Sequence, residues 1–238
     1  MLEIRRSQDR GSAHLDWLDS RHTFSFGNYY DPQQQGFSDL RVINDDWIAP
    51  GRGFGMHPHR DMEIFTYVLE GALEHKDSLG TGSVIRPGDV QMMRAGSGIT
   101  HSEFNPSATE RVHLLQIWIV PNRQSVVPRY QQTNFGAEEK RGQLRLIISP
   151  DGQDGSLSIY QDARVYAGLL DGSQTASLTL EPMRYAYVHV ARGSVDLNGE
   201  RLEVGDGARL RAPAAVYLSR GDGAEVLVFD LRSHELPK

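Results

Sequence analysis

Short apolar stretches alternate with turn residues along almost the whole chain. Residues 64–70, 112–120 and 224–231 are rich in Val, Ile, Leu, Phe and Tyr, and glycine or proline interrupts the chain at short intervals. Asn198-Gly199 is the strongest hairpin signal, because this dipeptide fits a two-residue turn. Only short helical stretches are expected, around residues 125–141. The pattern predicts an all-β protein built as a sandwich or barrel.

The turn residues also indicate an internal duplication. Gly71 and the later Gly88-Asp89 turn correspond to Gly193 and the later Gly205-Asp206 turn, and each half ends in an apolar strand. We interpret both Gly71 and Gly193 as turns within strand pairs. The stretch between the halves, about residues 122–145, is polar and rich in Pro and Gln, so we place the boundary there.

Four side chains of metal-ligand type occur in two pairs with alternating spacing. His57 and His59 form one pair, and His101 and Glu103 form the other. Residues i and i+2 of a strand face the same side, so each pair can converge on one point. Three imidazoles and a carboxylate predict a divalent transition metal with open coordination positions, and the carboxylate favours Fe(II), Mn or Ni. Glu63 shares the face of His59 on a straight strand and remains an alternative carboxylate ligand.

The second half lacks this set of residues. Counting from the shared turns, the corresponding positions fall near Thr179, Glu181, Leu218 and Arg220. We therefore expect one metal per chain, in the first half. His75 and the other histidines are expected to be packing or surface residues. Phe24, Phe26 and Phe54 lie near the motifs in sequence, although burial in the core is the stronger expectation for each.

The amino-acid composition excludes several classes of function for this protein. The chain has 238 residues, 39% of them hydrophobic, and a net charge of −6. Without a Lys/Arg-rich stretch, nucleic-acid binding is not expected. The absence of cysteine excludes disulfides and thiolate ligands. There is neither a secretory signal nor an apolar run of membrane-spanning length, so we expect a cytoplasmic protein without membrane attachment. A monomer is expected as well.

Three stretches resemble the pirin family of the cupin superfamily. They are RHTFSFGNYYDP (21–32), HPHRDMEIFTYVLEGALEHKDS (57–78) and AGSGITHSEFNP (95–106). The resemblance implies a bicupin, in which two antiparallel β-barrels of the jelly-roll type pack against each other. Residues 1–135 would form the metal-binding barrel, and residues 136–238 a degenerate barrel without metal.

The resemblance also implies a site and an activity. Its metal ligands would be His57, His59, His101 and Glu103, which favours Glu103 over Glu63. The implied metal is Fe(II), with Mn, Ni, Cu, Co or Zn as alternatives. The implied reaction is that of quercetin 2,3-dioxygenase, with a flavonol and dioxygen as partners and Glu103 also as general base. A redox- or metal-sensing regulatory module and a cupin isomerase are the alternative functions.

Overall fold

The computed structural model describes residues 2–235, and strands account for most of them. Alternation of apolar and polar residues produces these strands, and Gly, Pro, Asn and Asp end them. The first part of the chain contains twelve strands: Leu2–Arg5 (β1), Gly11–Leu15 (β2), Leu18–His22 (β3), Leu40–Ile48 (β4), Gly53–His59 (β5), Glu63–Glu70 (β6), Leu73–Asp77 (β7), Gly82–Ile85 (β8), Asp89–Arg94 (β9), Ile99–Phe104 (β10), Val112–Ile119 (β11) and Arg129–Asn134 (β12).

The remaining part adds one short α-helix and eight strands. The helix is Ala137–Lys140 (α1), and the strands are Leu144–Ser149 (β13), Leu157–Ser158 (β14), Ala163–Leu170 (β15), Ala176–Thr179 (β16), Tyr185–Leu197 (β17), Glu200–Glu203 (β18), Gly207–Arg211 (β19) and Ala215–Leu231 (β20). Two 3₁₀ turns lie at Ser7–Asp9 and Gln153–Gly155. The prediction of an all-β protein is confirmed. No helix within residues 2–235 is long and apolar enough to cross a membrane.

Two antiparallel sheets form the first half. One has seven strands in the order β12-β9-β6-β11-β4-β3-β2, and the other has four in the order β5-β10-β7-β8. The two histidine-bearing strands, β5 and β10, are therefore neighbours in the smaller sheet. The predicted site lies on hydrogen-bonded strands and does not depend on loops.

A nine-stranded sheet holds the second half together with the N-terminal strand. Its central path is β1-β19-β17-β20-β15-β13-β14, while β16 pairs with β20 and β18 with β17. The pairing of β1 with β19 brings Leu2–Arg5 into the sheet of the second half. The Asn198-Gly199 turn joins β17 and β18 as predicted, with both residues at positive φ.

The interpretation of Gly71 and Gly193 as turns within strand pairs is wrong. Gly71 links β6 of the seven-stranded sheet to β7 of the four-stranded sheet, and Gly193 lies within the bent strand β17. Both have positive φ, 74° and 61°. The two halves nevertheless share a pairing pattern, because β6 pairs with β9 as the first part of β17 pairs with β19. Both glycines are corners at which the chain changes direction.

The largest hydrophobic cluster contains residues of both halves. Phe65 of β6 lies 6.4 Å from Phe229 of β20, measured between ring centroids, and Phe24 lies 5.7 Å from Tyr187. Phe24 is thus a core residue. Burial of these rings at the junction removes apolar area from water, which stabilises the fold by about 25 cal/mol per Å² of buried area. The halves therefore share one core, which holds the first-half sheets in place.

Candidate metal centre

Three imidazole rings converge on the four-stranded sheet. The antiparallel register of β5 and β10 places His57 directly opposite His101, and His59 follows two residues along β5. Ring centroids are 4.4 Å apart for His57 and His101, 4.8 Å for His57 and His59, and 4.9 Å for His59 and His101. One nitrogen from each ring lies within 4.8 Å of the other two. This spacing leaves room for one ion with bonds of about 2.1 Å.

Local backbone features bring these strands together. A β-bulge lies between His101 and Glu103, so that Glu103 pairs with Phe54. At Gly53 a Cβ atom would overlap the carbonyl oxygen of Glu103 and lie 2.6 Å from Cα of Phe104. Glycine is therefore required here for the close approach of β5 to β10.

Glu103 lies beside His101, and the structure groups it with His75 and His101, not with His57 and His59. Its Oε2 lies 3.9 Å from Nε2 of His101, and the residue is 4% exposed. Gln116 Nε2 donates to both carboxyl oxygens at 3.1 Å, and Thr66 Oγ1 donates to Gln116 Oε1 at 2.7 Å. These hydrogen bonds fix the orientation of the carboxyl group.

The donor set fits a divalent transition ion. Nε2 of His101 is buried and has no hydrogen-bond partner among the described residues. Such an orphaned polar atom is costly unless something binds it. His57 has its Nδ1 2.8 Å from the carbonyl oxygen of Gly55, which leaves its Nε2 available. Imidazole nitrogens with one carboxylate are ligands that Fe, Ni, Zn and Cu accept.

Glu63, the alternative carboxylate, lies elsewhere. It is fully buried, and its Oε1 accepts hydrogen bonds from Arg94 Nε at 2.9 Å and from the Tyr160 amide at 3.2 Å. It belongs to neither group of potential metal ligands in residues 2–235. The guanidinium of Arg94 stacks over the Tyr160 ring at 3.5 Å. Glu63 is thus part of an ion pair that joins β6, β9 and the second half.

Burial favours the uncharged forms of His101, His59 and Glu103 when no ion is bound. Burial, reinforced by the neighbouring imidazoles, lowers the pKa of His101 to about 2. Burial and His57 lower the pKa of His59 to about 4. Burial, together with the nearby Asp46, raises the pKa of Glu103 to about 7 against the opposing effect of the Gln116 hydrogen bonds. A cation would reverse the preference of Glu103, because it stabilises the ionised carboxylate.

A cavity of about 510 Å³ opens onto the cluster. Its aromatic walls are two edge-to-face pairs, Trp17 with Phe54 at 5.1 Å and Phe26 with Trp118 at 5.5 Å. The remaining lining residues are Asn44, Asp46, Ile48, Gly53, Gly55, His57, His59, Leu73, Glu103, Leu114 and Gln116. The cavity is therefore a mainly apolar slot that is bordered by His57 and His59 and by a few polar side chains, those of Asn44, Asp46, Glu103 and Gln116.

Comparison with known proteins assigns the family. Residues 3–119 match the pirin family, and residues 146–231 match the quercetinase C-terminal cupin domain. The chain belongs to the pirin family. Relatives named quercetin 2,3-dioxygenase from Escherichia coli O157:H7 and from E. coli K12 are each 47% identical over 231 residues, which covers 97% of this chain and 99% of each relative.

Solved pirin structures have the same fold. The crystal structure of YhhW from E. coli is 46% identical, with a TM-score of 0.94 and complete coverage of both chains. A crystal structure of YhhW in complex with nickel(II) is also 46% identical, with a TM-score of 0.93, covering 98% of this chain and all of the other. A quercetin 2,3-dioxygenase from Acinetobacter baumannii is 26% identical, with a TM-score of 0.75 over 94% of this chain and 85% of the other.

The second half of this pirin has apolar residues where the first half has potential ligands. Strand register makes the equivalent positions Leu178, Leu180, Val216 and Leu218. The count from sequence placed them one or two residues too late, because it assumed loops of equal length. All four residues belong to or pack against one hydrophobic cluster. Within residues 2–235, both groups of potential ligands lie in the first half.

Several residues of the site were missed or underweighted in the sequence, and Trp17 of the aromatic wall is one of them. Asp46, Gln116 and Trp118 lie on strands β4 and β11, far from the histidines in sequence, and carry no local signal. His75 is different, because it forms a His-x-Asp pair with Asp77, the same alternating spacing as the two ligand pairs. It lies behind His101, with the two Nδ1 atoms 3.4 Å apart.

Proposed function

We propose that this pirin is a metal-dependent oxygenase that opens the ring of a flavonol such as quercetin with dioxygen. One observation carries the proposal: His57 and His59 of the three-imidazole cluster, together with the buried carboxyl group of Glu103, line an aromatic slot of about 510 Å³. That volume lies within the roughly 300–1,000 Å³ of small-molecule sites. Relatives named quercetin 2,3-dioxygenase align with almost the whole chain, which supports the same reaction.

One divalent ion per chain is proposed, held by His57, His59, His101 and Glu103. The buried, unpartnered Nε2 of His101 and the free Nε2 of His57 support this set. The proposed metal is Fe(II), and nickel(II), which is bound in the YhhW complex, is the first alternative. When bound, the ion would act as a Lewis acid on a hydroxyl oxygen of the substrate.

The proposed architecture is a pair of cupin barrels, comprising residues 1–135 and residues 136–238. The equivalent pairing of β6 with β9 and of β17 with β19 supports it. The hydrophobic cluster at Leu178, Leu180, Val216 and Leu218 supports a second barrel without a metal. The second barrel then serves as a packing partner for the first.

The chain's own residues would bind and deprotonate the substrate. The flat rings of a flavonol would pack against the edge-to-face pairs formed by Trp17 with Phe54 and by Phe26 with Trp118, which line the cavity. Glu103 takes the proton of the 3-hydroxyl group, since its carboxylate lines the cavity in which the substrate would lie. Gln116 keeps this carboxyl group facing the cavity.

The overall reaction balances without a further reductant. Both atoms of dioxygen enter the product as two carbon–carbon bonds of the heterocycle break, and the carbon between them leaves as carbon monoxide. The remaining product is a ring-opened ester. The apolar walls limit access of water to the deprotonated flavonol.

Turnover of quercetin by protein loaded in turn with Fe, Mn, Cu, Co or Ni tests the proposal. Loss of flavonol absorbance should accompany release of about one carbon monoxide per quercetin. Glu103→Gln should reduce kcat by at least about 100-fold, the lower range for loss of a general base. His14→Ala is the matched control, because His14 is an exposed histidine outside both ligand groups. Absence of turnover with every metal would remove the flavonol assignment.

The lining of the cavity argues against the isomerase alternative. A small polar substrate would call for cationic side chains, and neither lysine nor arginine is among the described residues that line this cavity. None of the contacts described in the site specifically favours the alternative function as a regulatory module. The oxygenase is thus the function that the geometry supports best.

A further inference from the structure

A buried histidine and aspartate lie directly behind His101. Strand β7 pairs with β10, with Asp77 opposite His101 and His75 opposite Glu103. Nδ1 of His75 is 3.4 Å from Nδ1 of His101, and Nε2 of His75 is 3.0 Å from Oδ2 of Asp77. The side chains of His75 and Asp77 are both fully buried.

The direction of these hydrogen bonds follows from the turn after β7. Oδ1 of Asp77 accepts hydrogen bonds from the backbone amides of Leu79 at 2.9 Å and Thr81 at 3.0 Å. The carboxylate group is thereby held in place, with Oδ2 aimed at His75. A carboxylate accepts only, so Nε2 of His75 must carry the proton.

The proton on Nε2 of His75 then determines the tautomer of His101. Neutral His75 has a lone pair on Nδ1, which can only accept a hydrogen bond from Nδ1–H of His101. Nε2 of His101 is therefore left with its lone pair. This is the nitrogen that is buried without a partner and lies 3.9 Å from Glu103 Oε2.

We propose that Asp77 and His75 are positioning residues that hold His101 in the tautomer whose Nε2 binds the metal ion. The inference rests on the proposed metal centre. Gly55 serves His57 in the same manner, since its carbonyl oxygen is 2.8 Å from Nδ1 of that ring. Partners of this kind fix ring orientation and raise ligand basicity in metalloproteins.

A role of His75 as a ligand is the competing assignment. His75, His101 and Glu103 do form a second group with atoms within 4.8 Å of one another. However, Nε2 of His75 is engaged by Asp77, and its Nδ1 faces Nδ1 of His101. The Tyr130 ring packs against His75 at 4.9 Å and restricts its rotation. Both nitrogens of His75 are thus already committed.

Asp77→Asn is the decisive variant. The two amides of Leu79 and Thr81 require an acceptor, so the side-chain oxygen of Asn must face them. Its NH₂ group then donates to Nε2 of His75, which moves the proton of His75 to Nδ1. His101 must in turn accept at Nδ1, and its Nε2 becomes protonated and unable to bind an ion.

Metal affinity is measured by competition with a chromophoric chelator for Ni(II). Asp77→Asn should weaken binding by about 10–100-fold, the usual effect of losing such a partner. Asp77→Ala should weaken it less, because no tautomer is imposed on His75. A purely structural role predicts the reverse order, since Ala also removes the turn hydrogen bonds. Asp89→Asn is the control, as Asp89 likewise accepts from a turn amide, that of Arg86.

The histidine tautomers of the metal-free protein provide a second readout. Long-range ¹H–¹⁵N spectra should show the wild-type proton on Nε2 of His75 and on Nδ1 of His101. Finding the proton on Nε2 of wild-type His101 would overturn the inference, as would an Asn variant that binds Ni(II) as tightly as the Ala variant. Failure of the wild type to bind one ion per chain would instead overturn the metal centre.

Discussion

Replacing the buried carboxyl group of Glu103 is expected to stabilise the metal-free protein above neutral pH and to weaken its metal binding. Burial and the nearby Asp46 raise the pKa of Glu103 to about 7. The group prefers its neutral form in the folded state, and alkaline pH forces a charge into a buried position. Glu103→Gln removes that charge and retains the shape and the acceptor for Gln116.

The size of the effect follows from the pKa. The rise from 4.5 to about 7 corresponds to about 3 kcal/mol. This stabilisation is fully present below pH 4.5 and is lost as the pH rises through 7, because the folded state binds the proton more tightly than the unfolded state. Between pH 5.5 and 8 the loss amounts to about 2 kcal/mol, or roughly 4–8 °C in melting temperature.

Asp46 provides the matched control. It is a second buried carboxyl group in the cavity wall, its pKa is raised to about 7 by burial, and it lies outside both groups of potential ligands. Ser20 donates a hydrogen bond to it, and an Asn would still accept that bond. Asp46→Asn should therefore remove a similar pH dependence but leave metal affinity within a few fold.

Urea unfolding of chelator-treated protein at pH 5.5 and 8, for the wild type and both variants, is the assay. Each variant should lose less stability than the wild type between the two pH values. Added Ni(II) should stabilise the wild type and Asp46→Asn, and Glu103→Gln much less. A Glu103→Gln protein that is less stable than the wild type at pH 8 would refute the reasoning.

Two further substitutions test the geometry of the centre. Gly53→Ala should weaken metal binding at least about 10-fold in chelator competition, because the new Cβ would displace β5 from Glu103. Gly55→Ala is the control and should have little effect, since nothing lies within 4 Å of its new Cβ. Glu63→Gln should leave the metal affinity unchanged but lower the free energy of unfolding by about 3–5 kcal/mol, since it breaks a buried ion pair with Arg94. If this variant instead lost metal binding and kept its stability, Glu63 would have to be counted as a metal ligand.

The strands and the histidine cluster could be predicted from the sequence because their signals are local. Alternating spacing alone places His57 beside His59, and it needs only one strand pairing to bring in His101. The partners on β4 and β11 could not be predicted in this way, because Asp46 and Gln116 reach the cavity through sheet pairing. Likewise β12 lies in a polar stretch and forms because it pairs with β9.

The roles of Gly71 and Gly193 illustrate a different limit. A glycine at positive φ between two apolar runs is compatible with a hairpin or with a corner between sheets. The choice depends on what covers each sheet, which only the packed structure decides. The pairing of β1 with β19 in the nine-stranded sheet also has no local sequence signal, because it too depends on how the sheets pack.

Strand β1 belongs to the N-terminal segment but pairs with β19 of the second half. It therefore couples the thermal stability of the second half to ligand or metal binding in the first half. Melting of the sheet around β19 must detach Leu2–Arg5, which are covalently continuous with the strands that hold the imidazole cluster. Any compound or ion that tightens the first half should then delay denaturation of the entire polypeptide. Screening for ligands by shifts in melting temperature can therefore use a reporter placed anywhere along the chain, including far from the cavity.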